Sequence, residues 1–172
     1  SSWLWVHQCF DVDPEPNYQA FLRQEIDEPE FMRRDIAMWT GKNPDVNVKD
    51  IAVLFRDMPL IDGIQETIAC LKANGIKSVI ISGGIIYAAR MIALEYGFDD
   101  YIADGLETYP DGRLTGEGLM NVDLSNKGVW VDTFVERFGT VPERTVCVGD
   151  SYTDITMFKR AGMSIALNAR DP

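Results

Sequence analysis

The sequence predicts an α/β protein with a parallel sheet flanked by helices, preceded by a small helical region. From about residue 57 onward, short β-branched apolar runs alternate with segments of helical periodicity. This alternation is typical of a doubly wound sheet. Earlier residues are rich in aromatic and charged side chains and have helical spacing without a clear strand. We therefore predict a helical part over residues 1–56 and an α/β part over residues 57–172.

Apolar residues in the helical part recur three and four positions apart, as on one face of a helix. This spacing predicts helices around residues 3–10, 18–26, 31–38 and 50–55. Gly41 and Pro44 indicate where the third of them ends. The side chains expected to pack in this part include the single histidine and three tryptophans: His7, Trp3, Trp5 and Trp39.

The α/β part contains apolar runs suited to strands that are buried on both faces. These strands are predicted at residues 78–81, 145–148 and 164–167, and helices at 62–74, 85–96, 127–138 and 152–161. Asn74-Gly75 ends the first of these helices. Residues 101–107, followed by the turn Pro110-Asp111-Gly112, predict a hairpin.

The composition excludes several classes of partner. The chain has 172 residues, a formal net charge of −11 and 46% hydrophobic residues. An acidic protein is a poor match for nucleic acid or an anionic membrane surface, because both require clustered Lys and Arg. The longest apolar stretch falls short of the roughly 18 residues of a membrane-spanning helix. Three distant cysteines without CxxC spacing predict a reduced, cytoplasmic protein without a disulfide scaffold or zinc site.

Ser82-Gly83-Gly84 lies where a predicted strand ends and a helix begins. A hydroxyl and unhindered backbone N–H groups at a helix N-terminus form a cradle for anions. Ligands of doubly wound sheets bind at this end of the strands. The same three residues are also typical of a turn that needs glycine for its backbone angles. The motif alone leaves both interpretations open.

A second motif places Asp150 directly after an apolar strand and Asp154 four residues later, on the same face of a helix. Carboxylates so close together repel each other, and Mg²⁺ would offset the repulsion. The spacing favours a metal site over the alternative, a helix cap at Asp150 with an unrelated surface Asp154. Lys127 begins another helix, where a cation is mildly unfavourable. It either binds a phosphate or is a solvated surface lysine.

Taken together, these motifs resemble the haloacid dehalogenase (HAD) superfamily and, within it, the phosphoserine phosphatases and related small-molecule phosphatases. The matching segments are "VIISGG", "TYPDGRLTGEG", "NKG" and "VCVGDSYTDITMFKRAGMSIAL". The resemblance extends over residues 57–167. Residues 1–56 are more loosely similar to the helical, C1-type cap of such enzymes. The resemblance implies a Rossmann-like core, Mg²⁺ as cofactor and a small phosphorylated substrate, with phosphoserine as one candidate.

The resemblance also implies roles for individual residues. Ser82 and Gly83 would bind the transferring phosphoryl group, and Lys127 would neutralise its charge. Asp150 would be a direct Mg²⁺ ligand, and Asp154 would hold the metal or its waters.

In these phosphatases an arginine of the cap binds the substrate carboxylate. Arg33 and Arg34 lie near the corresponding position, although an ungapped alignment puts Asp35 there. Both arginines are therefore candidate substrate-binding residues, and surface positions on a helix are the alternative.

The family's first motif, Asp-x-Asp-x-Thr, is not found in this sequence. Asp11-Val12-Asp13 has the spacing but lacks a preceding apolar strand, so we interpret it as a loop. We expect the sequence to be an incomplete stretch of a longer protein, with the nucleophilic aspartate upstream of Ser1 and further elements after Pro172. The alternative is a catalytically silent HAD-like protein that binds phosphate ligands or a protein partner. The sequence indicates no oligomeric state.

Overall fold

The computed structural model describes residues 1–169. The chain divides into two compact units, Ser1–Asn121 and Val122–Pro172. The predicted boundary between a cap and a core, at residue 56, falls inside the first unit. The division into cap and core therefore stays a prediction about function. The last predicted core residues, 170–172, lie outside the described part. No helix within residues 1–169 combines the length and the apolar character required to cross a bilayer.

The first unit begins with helices α1 (Ser2–Cys9), α2 (Glu15–Leu22), α3 (Glu28–Lys42) and α4 (Val48–Leu54). Helix α3 starts where the Asp27 carboxylate accepts a hydrogen bond from the Glu30 backbone N–H at 2.9 Å, which caps the helix. Helix α2 ends at Leu22, before the predicted Ile26. The reason is the left-handed backbone of Gln24, with φ of 58°, which an α-helix cannot continue.

The elements that follow are α5 (Ile64–Ala73), β1 (Val79–Ile85), α6 (Ile86–Tyr96), β2 (Asp100–Thr108) and β3 (Leu114–Leu119). They contain a three-stranded sheet in the order β1-β2-β3. Strands β1 and β2 are parallel and joined by α6, and β2 and β3 form an antiparallel hairpin. The predicted α/β arrangement and hairpin are confirmed.

Strand β1 is longer than predicted. Its pairing with β2 continues past residue 81, with an irregularity between Ser82 and Ile85. The Ser-Gly-Gly segment therefore remains extended instead of turning at once into the helix, and α6 begins only at Ile86. The predicted strand end at residue 81 is wrong for this reason.

One hydrophobic core holds the helices and the sheet of the first unit together. Its buried residues come from both parts: Val6, Ile36, Trp39, Val46, Ile51, Phe55, Ile85, Ala88, Leu106 and Leu114. Trp39 is fully buried, and its ring stacks with those of Trp3 and Phe10. Each large apolar side chain buried in this way contributes about 1.5–3 kcal/mol. The helical region is thus packed directly against the strand that carries Ser82.

The described residues of the second unit form α7 (Gly128–Arg137), β4 (Val146–Gly149), α8 (Ile155–Phe158) and β5 (Met163–Ala166). Strands β4 and β5 are parallel, as predicted. Helix α8 is shorter than the predicted 152–161, because its first turn, Tyr152–Asp154, is a 3-10 helix. At its other end, the Gly162 N–H donates to the carbonyls of Pro142 and Thr145, which directs the chain into β5.

The strands of the second unit are more exposed than predicted. Val146 and Val148 on β4 are 53% and 52% exposed, and Met163 on β5 is 59% exposed. Cys147, between the two valines, is buried. Alternate side chains of a strand point to opposite faces, so among residues 1–169 one face of β4 is packed and the other is exposed. The prediction of strands buried on both faces is wrong here, and residues 79–82 of β1 are also only partly buried.

Asp99 connects the segment before β1 to the segment before β2, and its carboxylate makes stability dependent on pH. It accepts hydrogen bonds from Lys77 Nζ at 2.7 Å and from the Ser78 backbone N–H at 2.9 Å. Burial raises the pKa of Asp99, but these bonds outweigh burial and hold the pKa below its ordinary value. A carboxyl of this kind stabilises the fold above its unfolded pKa, about 3.9, and less so as the pH falls through the folded pKa.

We expect Asp99→Asn to lower the free energy of unfolding at pH 7 by about 0.5–1 kcal/mol, a modest loss because Lys77 is exposed and screened. The difference from the parent protein should shrink as the pH falls below the unfolded pKa of about 3.9 and vanish below the lower folded pKa, where both carry a neutral side chain. Urea denaturation at pH 7 and in this acidic range measures it. An equal difference at both pH values would contradict the assignment.

Candidate active site

Ser82 is the central residue of β1, the last one before the pairing with β2 becomes irregular, and the backbone that follows fixes its side chain. The Gly84 N–H donates a hydrogen bond to Ser82 Oγ at 2.9 Å. A serine hydroxyl that accepts one hydrogen bond still has its own proton to donate. The side chain is therefore held in place and can still bind an anionic oxygen.

Glycine is needed at position 84 because a side chain there would collide with neighbouring atoms. A Cβ at this position would lie 2.6 Å from Ser2 Oγ and 2.9 Å from Ser82 Oγ. The φ of Gly84 is not positive, so its backbone does not require glycine. The interpretation as a turn that needs glycine angles is therefore wrong at this residue. Two hydroxyl groups approach the backbone, and only glycine leaves room for both.

In the second unit, Lys127 and Asp154 form a buried ion pair. Lys127 Nζ lies 2.5 Å from Asp154 Oδ1, and the two residues are 7% and 3% exposed. Lys127 immediately precedes α7, where the helix dipole disfavours a cation, and the carboxylate offsets this cost. Lys127 is thus not the solvated surface lysine that the sequence left open.

The other oxygen of Asp154 binds the segment after β4. Asp154 Oδ2 accepts hydrogen bonds from the backbone N–H groups of Asp150, at 2.9 Å, and Ser151, at 3.2 Å. Burial raises the pKa of Asp154, but the hydrogen bond and charge of Lys127, together with these N–H groups, hold the pKa below its ordinary value. A Cβ on Gly149 would lie 2.5 Å from the same oxygen, so glycine is required there for the carboxylate to fit.

Asp150 follows β4 directly, and its side chain is exposed. Among residues 1–169 its carboxylate makes no hydrogen bond or ion pair. The N-cap of the next turn is Ser151, and not Asp150. The alternative of a capping Asp150 with a surface Asp154 is therefore wrong. Of the two carboxylates, Asp154 is an internal anchor, and Asp150 is available to a ligand.

The carboxylate oxygens of this segment are suitable ligands for Mg²⁺, provided that other ligands complete the site. The described part of the chain has no cluster of three or more His, Cys, Asp or Glu side chains that could hold a metal alone. Mg²⁺ binds through one or two carboxylates together with waters and phosphate oxygens. The exposed Asp150 carboxylate fits this requirement. Direct coordination by Asp154 would compete with Lys127 and with two backbone N–H groups.

The arginines predicted to bind substrate lie on the exposed side of α3 and are paired with acidic residues. Arg33 Nε donates to Glu117 on β3 at 2.8 Å, and its guanidinium also contacts Glu30. Arg34 Nε donates to Glu30 at 2.8 Å. Asp35, the residue that an ungapped alignment puts in their place, is buried.

The sequence did not indicate a buried polar network between α1 and α3. His7 Nε2 lies 3.0 Å from Asp35 Oδ2, and the Trp39 indole N–H donates to His7 Nδ1 at 3.0 Å. Asn17 donates to the other Asp35 oxygen at 2.9 Å. His7 packs in the interior as predicted, with a polar partner on each ring nitrogen. A possible signal was the matching four-residue spacing of Trp3 and His7 on one helix and Asp35 and Trp39 on the other.

Comparison with known proteins identifies the family. Residues 12–159 match the family described as haloacid dehalogenase-like hydrolase. The phosphoserine phosphatase of Idiomarina loihiensis is 33% identical over 153 residues, covering 88% of this chain and 67% of that protein. The phosphoserine phosphatase of Archaeoglobus fulgidus is 32% identical over 152 residues, covering 87% of this chain and 42% of that protein. The chain thus spans about two thirds of the first relative and less than half of the second.

A solved structure described as a substrate-bound phosphoserine phosphatase complex superimposes with a TM-score of 0.83 at 26% identity. The superposition covers 98% of this chain and 80% of that one. The predicted Rossmann-like fold and the resemblance to these phosphatases are thereby confirmed. The chain belongs to the haloacid dehalogenase-like hydrolase family, in its phosphoserine phosphatase-like branch.

Proposed function

We propose that the protein is a Mg²⁺-dependent phosphomonoester hydrolase that acts on a small phosphorylated metabolite, with phosphoserine as the first candidate. The observation that carries the proposal is the buried Lys127–Asp154 pair next to the exposed carboxylate of Asp150 at the end of β4. Phosphoserine is favoured because relatives that are 33% and 32% identical are named phosphoserine phosphatases.

Ser82, Gly83 and Lys127 bind the phosphoryl group in this proposal. Ser82 donates its hydroxyl proton to a phosphoryl oxygen, assisted by the Gly83 N–H, and Lys127 neutralises negative charge. Phosphoryl transfer depends mainly on positioning and charge neutralisation. The buried carboxylate of Asp154, 2.5 Å from the ammonium group, holds that charge in one place, so little reorganisation is required during the reaction.

Asp150 holds the metal in this proposal, and Asp154 acts around it. When bound, Mg²⁺ supplies positive charge that polarises the phosphoryl oxygens. Asp154 fixes the backbone of Asp150 through the 2.9 Å hydrogen bond to its N–H and orients the metal or its waters. This arrangement would present the Asp150 carboxylate to the cation while Lys127 stays paired.

The nucleophile in the proposed reaction is an aspartate that lies upstream of Ser1. Its carboxylate oxygen attacks phosphorus while the ester P–O bond breaks, and the departing alcohol oxygen takes a proton from a general acid. Water then attacks the aspartyl-phosphate and releases orthophosphate and the carboxylate. Asp11 and Asp13 do not fit this role. They lie in the loop between α1 and α2, where the Asp13 carboxylate accepts a hydrogen bond from the Glu15 N–H.

Residues 1–56 are proposed to form the cap and residues 57–172 the core of the enzyme. Within this cap, Arg33 and Arg34 are the proposed substrate-binding residues. Their exposure supports this role, although binding a substrate carboxylate would require exchange of their partners Glu117 and Glu30. A cytoplasmic location is proposed as well, since the three cysteines, at 9, 70 and 147, are unpaired.

Orthophosphate release from a panel of phosphomonoesters tests the proposed function. We expect the complete encoded protein to hydrolyse phosphoserine, to lose activity with EDTA, and to regain it with added Mg²⁺. Preference for another ester would support the proposed hydrolase activity and identify a substrate other than phosphoserine. Failure to hydrolyse any ester with Mg²⁺ present would contradict the proposal and favour the catalytically silent, phosphate-binding or partner-binding alternative.

A further inference from the structure

Two consecutive side chains at the start of α1 contact the backbone around Gly84. The Trp3 indole N–H donates to the carbonyl oxygen of Gly83 at 3.0 Å. The Ser2 hydroxyl oxygen accepts from the Ile85 N–H at 2.8 Å. All of these groups are partly buried. The start of a helix in the N-terminal region thus fixes the second half of β1, directly after Ser82.

The peptide group between Gly83 and Gly84 is bonded at both ends. Its carbonyl accepts from Trp3, and its N–H donates to Ser82 Oγ at 2.9 Å. A peptide group is planar and rigid, so its carbonyl and its N–H can only turn together. The orientation set by Trp3 therefore also sets the direction from which the Ser82 hydroxyl is held.

The Trp3 ring is itself held in place. It stacks on Trp39 with ring centroids 5.3 Å apart and an interplanar angle of 25°. Trp39 is fully buried, and its indole N–H is bonded to His7. A side chain whose neighbours are fixed in this way can position a functional group with little loss of precision.

We propose that Trp3 is a positioning residue, which acts through the Gly83–Gly84 peptide on the hydroxyl of Ser82. Its effect on catalysis rests on the proposed function, because Ser82 must bind the phosphoryl group for its orientation to alter the rate. The effect of Trp3 on the Gly83–Gly84 peptide group does not depend on the proposed function. The two effects are therefore measured separately.

The test compares Trp3→Phe with Trp5→Phe in the complete encoded protein. Trp3→Phe keeps a ring for stacking on Trp39 and removes the indole N–H. Trp5→Phe is the matched control, since the Trp5 indole N–H donates to the Leu54 carbonyl at 2.8 Å in the same helix. Each variant loses one hydrogen bond from an indole to a backbone carbonyl, and only one of these bonds reaches the Ser82 peptide.

Hydrogen exchange of the Gly84 amide, followed by NMR, reports on the peptide without any substrate. We expect exchange at least about tenfold faster in Trp3→Phe than in the parent, because losing the carbonyl bond frees the peptide to open. Trp5→Phe should leave the rate at the parent value. Equal rates in both variants would overturn the proposal, whatever the activity. This result is independent of whether the protein hydrolyses any phosphomonoester.

Steady-state kinetics reports on the catalytic consequence. We expect kcat/KM to fall about tenfold in Trp3→Phe, because small displacements of a positioned group are costly. In a Ser82→Ala background the same substitution should cost less than about twofold, since its target is gone. An undiminished tenfold loss in that background would mean that Trp3 does not act through Ser82 and would overturn the proposal. Absence of turnover in the parent would instead refute the proposed function, with exchange still deciding the role of Trp3.

Discussion

Replacing Lys127 with methionine is expected to lower the free energy of unfolding by about 3–5 kcal/mol, because Asp154 would be left as a buried charge without its partner. Asp154 is 3% exposed, and the lysine ammonium lies 2.5 Å from its carboxylate. Methionine fills much of the space of the lysine stem, so the loss reports mainly on charge. The N–H groups of Asp150 and Ser151 still bind the carboxylate, so we expect the loss of stability to lie near the lower end of this range. Urea denaturation of the complete encoded protein measures it.

Two further variants separate this effect from general damage. Lys159→Met removes an exposed lysine that follows α8 and should change stability by less than about 0.5 kcal/mol. Adding Asp154→Asn to Lys127→Met removes the buried charge and should recover part of the loss. A loss below about 1 kcal/mol for Lys127→Met alone would contradict the assignment of a buried, mutually dependent pair.

Features set by neighbours in the sequence could be predicted. Gly97 ends α6 in the left-handed conformation, with φ of 83°, and Gly75 follows the end of α5 with φ of 68°. Such signals act within one turn of a helix or hairpin and need no knowledge of the rest of the chain. This is why the alternation of strands and helices, the hairpin and the end of β4 could be found from the residues alone.

Features set by packing could not be predicted in the same way. The apolar character of Val146 and Val148 indicated burial, but burial depends on what covers the sheet, and both are half exposed. The four-residue spacing of Asp150 and Asp154 put both carboxylates on one face without showing which would turn inward. Gly149 offered a signal that was missed, because its lack of a Cβ makes room for the Asp154 carboxylate. Contacts such as that of Trp3 with Gly83 join distant segments, and no local pattern indicates them.

Asp150→Asn is expected to lower kcat/KM by about a hundredfold or more, the cost of removing one preorganised charge-stabilising group. The substitution keeps the backbone N–H that binds Asp154 and changes an exposed side chain, so stability should change by less than about 0.5 kcal/mol. Losing the negative charge weakens the hold on Mg²⁺. We expect the Mg²⁺ concentration for half-maximal rate to rise by at least about tenfold, the lower limit seen for residues that only support a metal ligand.

Calorimetric titration with Mg²⁺ separates metal binding from the chemical step, because it requires no turnover. Asp62→Asn, which neutralises an exposed carboxylate that makes no hydrogen bond or ion pair among the described residues, is the matched control and should bind Mg²⁺ as the parent does. Weaker binding in Asp150→Asn with a rate restored by excess Mg²⁺ would mean that Asp150 acts mainly by holding the ion. Weaker binding without restoration would mean that its charge also positions the ion for the reaction. Equal binding and equal turnover in Asp150→Asn and the parent would exclude Asp150 as a metal ligand. The exposed carboxylate of Asp150 would then have no role in the reaction, because its removal would change neither metal binding nor turnover.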